Sequence, residues 1–371
     1  MKKILIVIGT RPEAIKLAPV VWALRARPGV QVSVCLTNQH TDLLASVADF
    51  LDLQVEIELS AAQAGRGLGE LTAHLTKELT SVLTQGWDWV VVQGDTTSAF
   101  VGGLTGFYQG AKVAHVEAGL RTGDRHAPWP EEVNRRMLAP LTDLHLAPTE
   151  RAAQALRAEG IAEGMIQVVG NTVVDTLQAA VQKVGNTQPP QGPLADSGYL
   201  KKEKAMVLVT GHRRENLDGG ITSVCQALVE IVKETGCEVV FPVHLNPKVK
   251  DAVEEVLAQV EGVYLLPPLD YLSFVWLMNQ ADVILSDSGG VQEEAPGLGV
   301  PVVVTREVTE RQEAVEGGFA RLVGTEQEKI VNEVCSLLKL PAEERCPPPR
   351  ENPFGDGKSG SRIAELLIEG C

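Results

Sequence analysis

Short, continuous apolar runs alternate along the chain with segments of helical spacing. The runs fall at 3–9, 31–36, 89–93, 111–116 and 143–147, and helical periodicity follows at 12–26, 96–108 and 130–141. A run that is apolar at every position suits a strand covered on both faces, so its alternation with helices predicts a parallel sheet wrapped on both sides. Residues 186–203 break the pattern, being rich in Pro and Gly without an apolar period, and read as a linker. The alternation then restarts, with strands expected at 205–210, 238–243, 262–266, 282–286, 301–304 and 319–323. Helices are expected near 220–234, 247–258, 271–279, 290–297 and 326–339. The prediction is two doubly wound α/β domains of similar size, 1–185 and 204–357. A chain of 371 residues supports two, because single cores stop growing near about 250–300 residues.

Composition narrows the function. The opening Met1-Lys-Lys-Ile-Leu-Ile-Val-Ile-Gly9 leads into Thr10-Arg11-Pro12-Glu13 without a small-residue cleavage site, so it reads as the first strand and not as a signal peptide. No apolar run approaches the roughly 20 residues of a membrane span. A net charge of -15 opposes broad binding to nucleic acid or anionic membrane, so an anionic ligand must be gripped locally. Six widely spaced Cys, none in a Cys-x-x-Cys pair, read as reduced thiols of a cytoplasmic protein. His115-Val-Glu117 has the form of a deaminase zinc motif but lacks its Pro-Cys-x-x-Cys partner, and no metal is expected.

Ligands of doubly wound sheets bind beyond the carboxyl ends of the strands, and two facing domains would put the site in their cleft. The strand ends carry the chemistry. Gly9-Thr10-Arg11-Pro12 turns into a helix whose start, with Arg11 and Lys16, suits an anion. It is neither a dinucleotide Gly-x-Gly-x-x-Gly nor a P-loop, so a nicotinamide mechanism has no sequence support and no cofactor is expected. Asp95 or Thr96, after the run at 89–93, suits a helix cap as well as a catalytic group. Glu131 and Glu132 precede Arg135 and Arg136 by one helical turn, which suits surface ion pairs. Thr210-Gly-His212-Arg213-Arg214-Glu-Asn216 combines anion grip with a proton carrier. Ser288-Gly289-Gly290 can cradle a diphosphate with backbone N–H groups, with Glu294 placed for a ribose hydroxyl.

Gly9-Thr-Arg-Pro-Glu-Ala-Ile-Lys16, Gln93-Gly-Asp-Thr96, His115-Val-Glu-Ala-Gly-Leu-Arg121, Pro130-Glu-Glu-x-Asn-Arg135, Thr210-Gly-His-Arg-Arg-Glu-Asn216 and Asp287-Ser-Gly-Gly-Val-Gln-Glu-Glu-Ala-Pro296 occur in order over almost the whole chain. Together they closely resemble the non-hydrolysing UDP-N-acetylglucosamine 2-epimerases of bacteria. The resemblance implies a GT-B architecture of two Rossmann-like domains, a C-terminal helix near 358–370 that rejoins the first domain, and a homodimer. It implies reversible epimerisation of UDP-GlcNAc to UDP-ManNAc for surface polysaccharide synthesis, through elimination of UDP to 2-acetamidoglucal and re-addition.

By the same resemblance Asp95, Glu117 and Glu131 are the acid–base carboxylates, and His212 acts near the glycosidic oxygen or diphosphate. Arg11, Lys16, Ser288, Gly289 and Gly290 meet the diphosphate, Glu294 the ribose, Phe274 the uracil, and Arg311 makes a further polar contact. Gln39, His40, Arg213 and His244 correspond to a second, allosteric UDP-GlcNAc pocket. The chain departs from the family pattern at Gln39-His40-Thr41-Asp42, which lacks the usual Arg-Glu-Met, and at Arg311-Gln312, where Pro is common. The same motifs leave open a hydrolysing epimerase, a 2-epimerase of a UDP-diacetamido-uronic acid, a GT-B glycosyltransferase and a non-catalytic UDP-sugar sensor.

Overall fold

Valine- and isoleucine-rich runs buried on both faces leave their backbone groups no partner but one another, and the chain accordingly forms two sheets built only from parallel pairs. The computed structural model describes residues 1–39, 47, 50–60, 67–185, 188–190, 192–196, 199, 204–211, 220–243, 246–346 and 352–369. The chain divides into two units, Met1–Thr176 with Phe354–Cys371, and Leu177–Pro353.

The first sheet contains β1 (Lys2–Ile8), β2 (Val30–Leu36), β3 (Ile57–Glu58), β4 (Trp89–Gln93), β5 (Lys112–Val116), β6 (Leu144–Ala147) and β7 (Ile166–Val168), in the order β3-β2-β1-β4-β5-β6-β7. The second contains β8 (Met206–Thr210), β9 (Glu238–Pro242), β10 (Val263–Leu266), β11 (Val283–Ser286), β12 (Val302–Val304) and β13 (Ala320–Leu322), in the order β10-β9-β8-β11-β12-β13. Every strand expected from an apolar run is present. The two that were not expected, β3 and β7, lie at the edges of the first sheet, where a partly exposed strand needs no continuous apolar run.

In each sheet the strand order reverses at the centre, between β1 and β4 in one and between β8 and β11 in the other. The turns after these strands are Gly9-Thr10, Gly94-Asp95, Gly211 and Asp287-Ser288. Four polar motifs of the sequence therefore stand at the two points where a doubly wound sheet leaves strand ends uncovered, and His115-Val-Glu117 stands at the end of β5, one strand further out.

Within 186–203, the turn of helix Pro193–Asp196 buries Leu194. Tyr199 is also buried, with its ring edge-on to Tyr264 at 4.9 Å and its hydroxyl donating to Glu238 at 3.4 Å. Five cysteines, Cys35, Cys225, Cys237, Cys335 and Cys346, are free and buried, and burial pushes the Cys35 and Cys225 thiols up to about 12. Among the described residues no helix is long and apolar enough to cross a membrane.

The last helix, Ser359–Glu369, belongs to the first unit and packs on helix Arg11–Arg25. Its first N–H groups are met by Asp175, which accepts from Gly360 at 2.8 Å and from Ser359 at 3.3 Å. Ile363 and Leu367 are fully buried and hold the helix by about 1.5–3 kcal/mol each, more than one cap contributes. Losing the cap should therefore weaken the helix without undocking it. Asp175→Ala is expected to lower stability in urea by about 1 kcal/mol, and Asp175→Asn, which keeps an acceptor, by only about a few tenths.

Candidate active site

The first unit's site grows from β1, β4 and β5. Gly9, after β1, has no room for a side chain, because a Cβ there would lie 2.2 Å from Ser98 Oγ at the start of helix Thr97–Tyr108. Thr10 and Glu13 then stand at the N-cap and third position of helix Arg11–Arg25, the spacing of a capping box. Glu13 goes further than a box requires. It is 1% exposed, accepts the Gly9 N–H at 2.8 Å through one oxygen, and accepts the Thr96 hydroxyl at 2.6 Å through the other. Burial raises its carboxyl to about 7 against the lowering effect of these bonds. Arg11 opens the same helix, half-buried.

Asp95 and Glu117 follow neighbouring strands whose register pairs Gln93 with Val116. Glu117 is buried and has φ of +64°, a left-handed conformation that a non-glycine residue adopts only under local constraint. Lys16 Nζ lies 2.7 Å from both of its carboxylate oxygens, and Gln93 Nε2 donates to one of them. The expectation that Lys16 faces a diphosphate thus meets a different arrangement here, with a buried ammonium held by a buried carboxylate. The reason is energetic, since stripping one partner from a buried ion pair costs about 3–5 kcal/mol.

Thr96, not Asp95, caps helix Thr97–Tyr108, accepting the Ala99 N–H at 3.0 Å. Asp95 is left for another partner, and Arg135 lies 2.8 Å from its Oδ2. Asn134 Nδ2 donates to the Asp95 carbonyl at 3.0 Å, and His115 Nε2–H donates to the Gly94 carbonyl at 2.7 Å, so the Gly94-Asp95 turn is tied from two sides. The surface ion pairs expected of Glu131 and Glu132 with Arg135 and Arg136 are not what forms. Arg135 is buried on Asp95 with Glu132 at 3.6 Å, and Arg136 lies 3.7 Å from Glu159. Buried Glu132 also takes the Thr122 N–H at 3.1 Å and so holds the loop after β5. Glu131, half-buried, is the first residue of helix Glu131–Leu138, one turn before Arg135.

In the second unit, Ser288-Gly289-Gly290 opens helix Gly289–Leu298. A Cβ on Gly289 would lie 2.9 Å from the Arg311 guanidinium carbon, so the glycine is what lets Arg311 close over the turn. Glu293 fixes Arg311, with its oxygen 2.9 Å from Nε and 2.8 Å from Nη2. Glu294 accepts the Tyr271 hydroxyl at 2.7 Å, and Phe274 follows one turn later on helix Tyr271–Gln280, half-buried. Gln39, in the first unit, accepts from Ser98 N at 3.1 Å and from Ser98 Oγ at 2.7 Å. His40, His212, Arg213 and His244 lie outside the described residues.

Reading the sequence alone missed Glu13, Gln93, Glu132, Arg135, Tyr271 and Glu293 as members of these clusters. Glu13 did carry a signal. It shares its helical face with Leu17, Val20 and Leu24, all buried, and a carboxylate on a buried face requires a partner.

Residues 22–368 match the family model described as UDP-N-acetylglucosamine 2-epimerase. Over 368 residues the chain is 46% identical to a UDP-N-acetylglucosamine 2-epimerase of Salmonella typhimurium, covering 98% of each chain. It is similar to the crystal structure of the UDP-GlcNAc 2-epimerase of Neisseria meningitidis bound to UDP-GlcNAc, at 38% identity and a TM-score of 0.91 over 99% of this chain and 100% of that one. The UDP-GlcNAc 2-epimerase of Methanocaldococcus jannaschii, in complex with UDP-GlcNAc and UDP, is similar at 35% identity and a TM-score of 0.83, with 99% and 100% covered. The fold is GT-B-like, with two Rossmann-like units.

Beneath Asp95 and Glu117, His115 and His145 face each other in the register of β5 and β6. Burial pushes His115 down to about 3, with neighbouring His145 adding to it, and burial pushes His145 to about 4. The unfolded chain protonates both rings below about pH 6.5 while the folded chain does not, so stability is full above that value and falls as the pH drops towards 4. At about pH 5 the expected loss is about 2 kcal/mol per ring. Urea unfolding at about pH 7.5 and about pH 5 should show this fall, and in His145→Leu the fall should shrink by about 2 kcal/mol.

Proposed function

The chain belongs to the UDP-N-acetylglucosamine 2-epimerase family, and we propose that it interconverts UDP-GlcNAc and UDP-ManNAc without hydrolysis, by anti elimination of UDP and re-addition. The observation that carries this reading is the pair Asp95 and Glu117, carboxylates at the ends of neighbouring strands, each holding a buried cation. The C2 proton of the sugar has no adjacent carbonyl and is not acidic. Elimination makes it so. The bond from C1 to the UDP oxygen breaks and UDP leaves with the electron pair. The C2–H pair then closes a C1–C2 double bond, giving 2-acetamidoglucal, as the proton passes to a carboxylate. In the return step the UDP oxygen attacks C1 and a proton is delivered to the other face of C2. No net oxidation occurs, so the scheme calls for no redox cofactor.

Two faces of one carbon need acid–base groups on both sides, a role proposed for Asp95, Glu117 and Glu131. His212 is proposed to exchange a proton at the departing oxygen. The Lys16 contact refines the scheme: as Glu117 takes a proton its hold on the ammonium weakens, and Lys16 becomes available when negative charge develops on UDP. Arg11, Ser288, the N–H groups of Gly289 and Gly290, and Arg311 are proposed to receive the diphosphate, Glu294 the ribose and Phe274 the uracil. Gln39, His40, Arg213 and His244 are proposed to receive a second, activating UDP-GlcNAc.

The reading includes a cytoplasmic homodimer that supplies UDP-ManNAc to surface polysaccharide synthesis. Apolar side chains left exposed on two helices that pack together, Phe107 and Tyr108 on one and Val133 and Met137 on the other, support the dimer. Sedimentation should give twice the 39.8 kDa chain mass, and a monomer would remove this part of the reading.

Proton NMR of UDP-GlcNAc with the purified protein in deuterated water tests the chemistry. C2-deuterated UDP-ManNAc with UDP retained is expected. Free ManNAc would indicate hydrolysis, and transfer to an acceptor without C2 exchange would indicate a glycosyltransferase. Asp95→Asn and Glu117→Gln should each lower kcat by about 10²-fold or more while UDP binding changes little. Near-normal turnover would remove that residue from the scheme.

A further inference from the structure

One buried side chain joins the turn that carries Arg11 to the turn that carries Asp95. Glu13 Oε2 accepts the Gly9 N–H at the end of β1, and Oε1 meets the Thr96 hydroxyl at the end of β4. These are the two strands at which the order of the first sheet reverses. Thr96 follows Asp95 directly and caps the next helix, so its position sets that of the aspartate backbone. A carboxylate serving only its own helix would stop at the capping box and could remain in water. Glu13 is instead buried and spends one oxygen on a different strand, which a local helix cap does not explain.

We propose that Glu13 is a positioning residue for the reaction, holding the Arg11 and Asp95 turns in register, and that its proton occupancy sets how well the site accepts the anionic nucleotide. The inference rests on the epimerase reading above. Both charge states keep the clamp. Ionised, Glu13 accepts from Gly9 and Thr96; protonated, it still accepts from Gly9 and donates to Thr96 Oγ, at a distance suited to either direction.

What changes is the charge beneath the Arg11 turn. The other charged groups at this end of the surrounding elements are Arg11 and Lys16 on its own helix, Asp95 after β4 and Glu117 after β5, while Lys2, Lys3, Arg25 and Lys112 lie at the opposite ends of theirs. Lys16 is paired with Glu117 and Asp95 with Arg135, while His115 is neutral and helix Thr97–Tyr108 carries no charged residue. An ionised Glu13 therefore opposes an arriving diphosphate, and a protonated one does not. Because burial lifts its carboxyl to about 7, the two states exchange near neutral pH. Binding should weaken as the pH rises through that value.

The test is kcat and KM for UDP-GlcNAc, whose diphosphate diester does not itself titrate near neutrality, from about pH 6 to about pH 8.5, on the full chain. Wild-type KM should rise by about threefold or more across this range, and in Glu13→Gln, which mimics the protonated carboxyl, it should stay flat. Glu13→Ala should lower kcat by about tenfold or more at every pH while circular dichroism reports a folded chain, and Glu13→Gln should restore most of that loss. If the alanine variant does not fold, Thr96→Val cuts the same link from the other side and should give the same loss.

Wild-type kcat in a folded Glu13→Ala or Thr96→Val would overturn the positioning role. A Glu13→Gln variant that keeps the wild-type rise in KM would overturn the charge role. A wild-type protein that binds UDP but does not turn over UDP-GlcNAc would sink the epimerase reading instead. Glu13 would then be judged on UDP affinity by calorimetry, where equal pH dependence in wild type and Glu13→Gln overturns the inference.

Discussion

Each sheet reverses its strand order at its centre, and the placement of four of this chain's polar motifs depends on that reversal. On either side of it the crossover helices leave for opposite faces, so the carboxyl ends of β1 and β4, and of β8 and β11, stay uncovered by the connections that follow them. A sheet wound in one direction would cover these ends. Here Gly9-Thr10-Arg11 and Gly94-Asp95 emerge side by side, and Gly211 and Asp287-Ser288 do so in the second unit.

Uncovered strand ends still sit against a dry core, and charged groups placed there must be paired. That requirement explains why the candidate site of the first unit is a set of couples, Lys16 with Glu117, Arg135 with Asp95, and Glu13 with Gly9 and Thr96. The couples hold the carboxylates at fixed positions on neighbouring strand ends, which is the preorganisation that proton transfer at one carbon requires. The second unit repeats the device. Glu293 fixes Arg311 over Gly289, and Tyr271 fixes Glu294, so the groups proposed to meet the nucleotide are oriented before it arrives.

Pairing also separates what was legible from what was not. The strands could be read because parallel strands buried on both faces are continuous apolar runs, and β3 and β7 escaped because edge strands need no such run. Asp95 and Glu117 could be picked out as carboxylates just past strand ends. Their partners could not, since Lys16 precedes Glu117 by 101 residues and Glu13 precedes Thr96 by 83. For the same reason the local spacing of Glu131 and Glu132 with Arg135 and Arg136 suggested surface pairs, whereas the half-buried Asp95 claimed a buried Arg135.

The sequence by itself determined the class of fold, the alternation of strand and helix, and the set of polar residues delivered to strand ends. These follow from burial and periodicity, which act over neighbouring residues and are written in the order of the chain. Only the tertiary structure decided which charges meet, that Thr96 rather than Asp95 caps its helix, and that Glu13 spans two turns with a carboxyl near neutrality. Those outcomes depend on distance and desolvation in a folded interior, where groups far apart in sequence compete for the same few partners and no local pattern records the result.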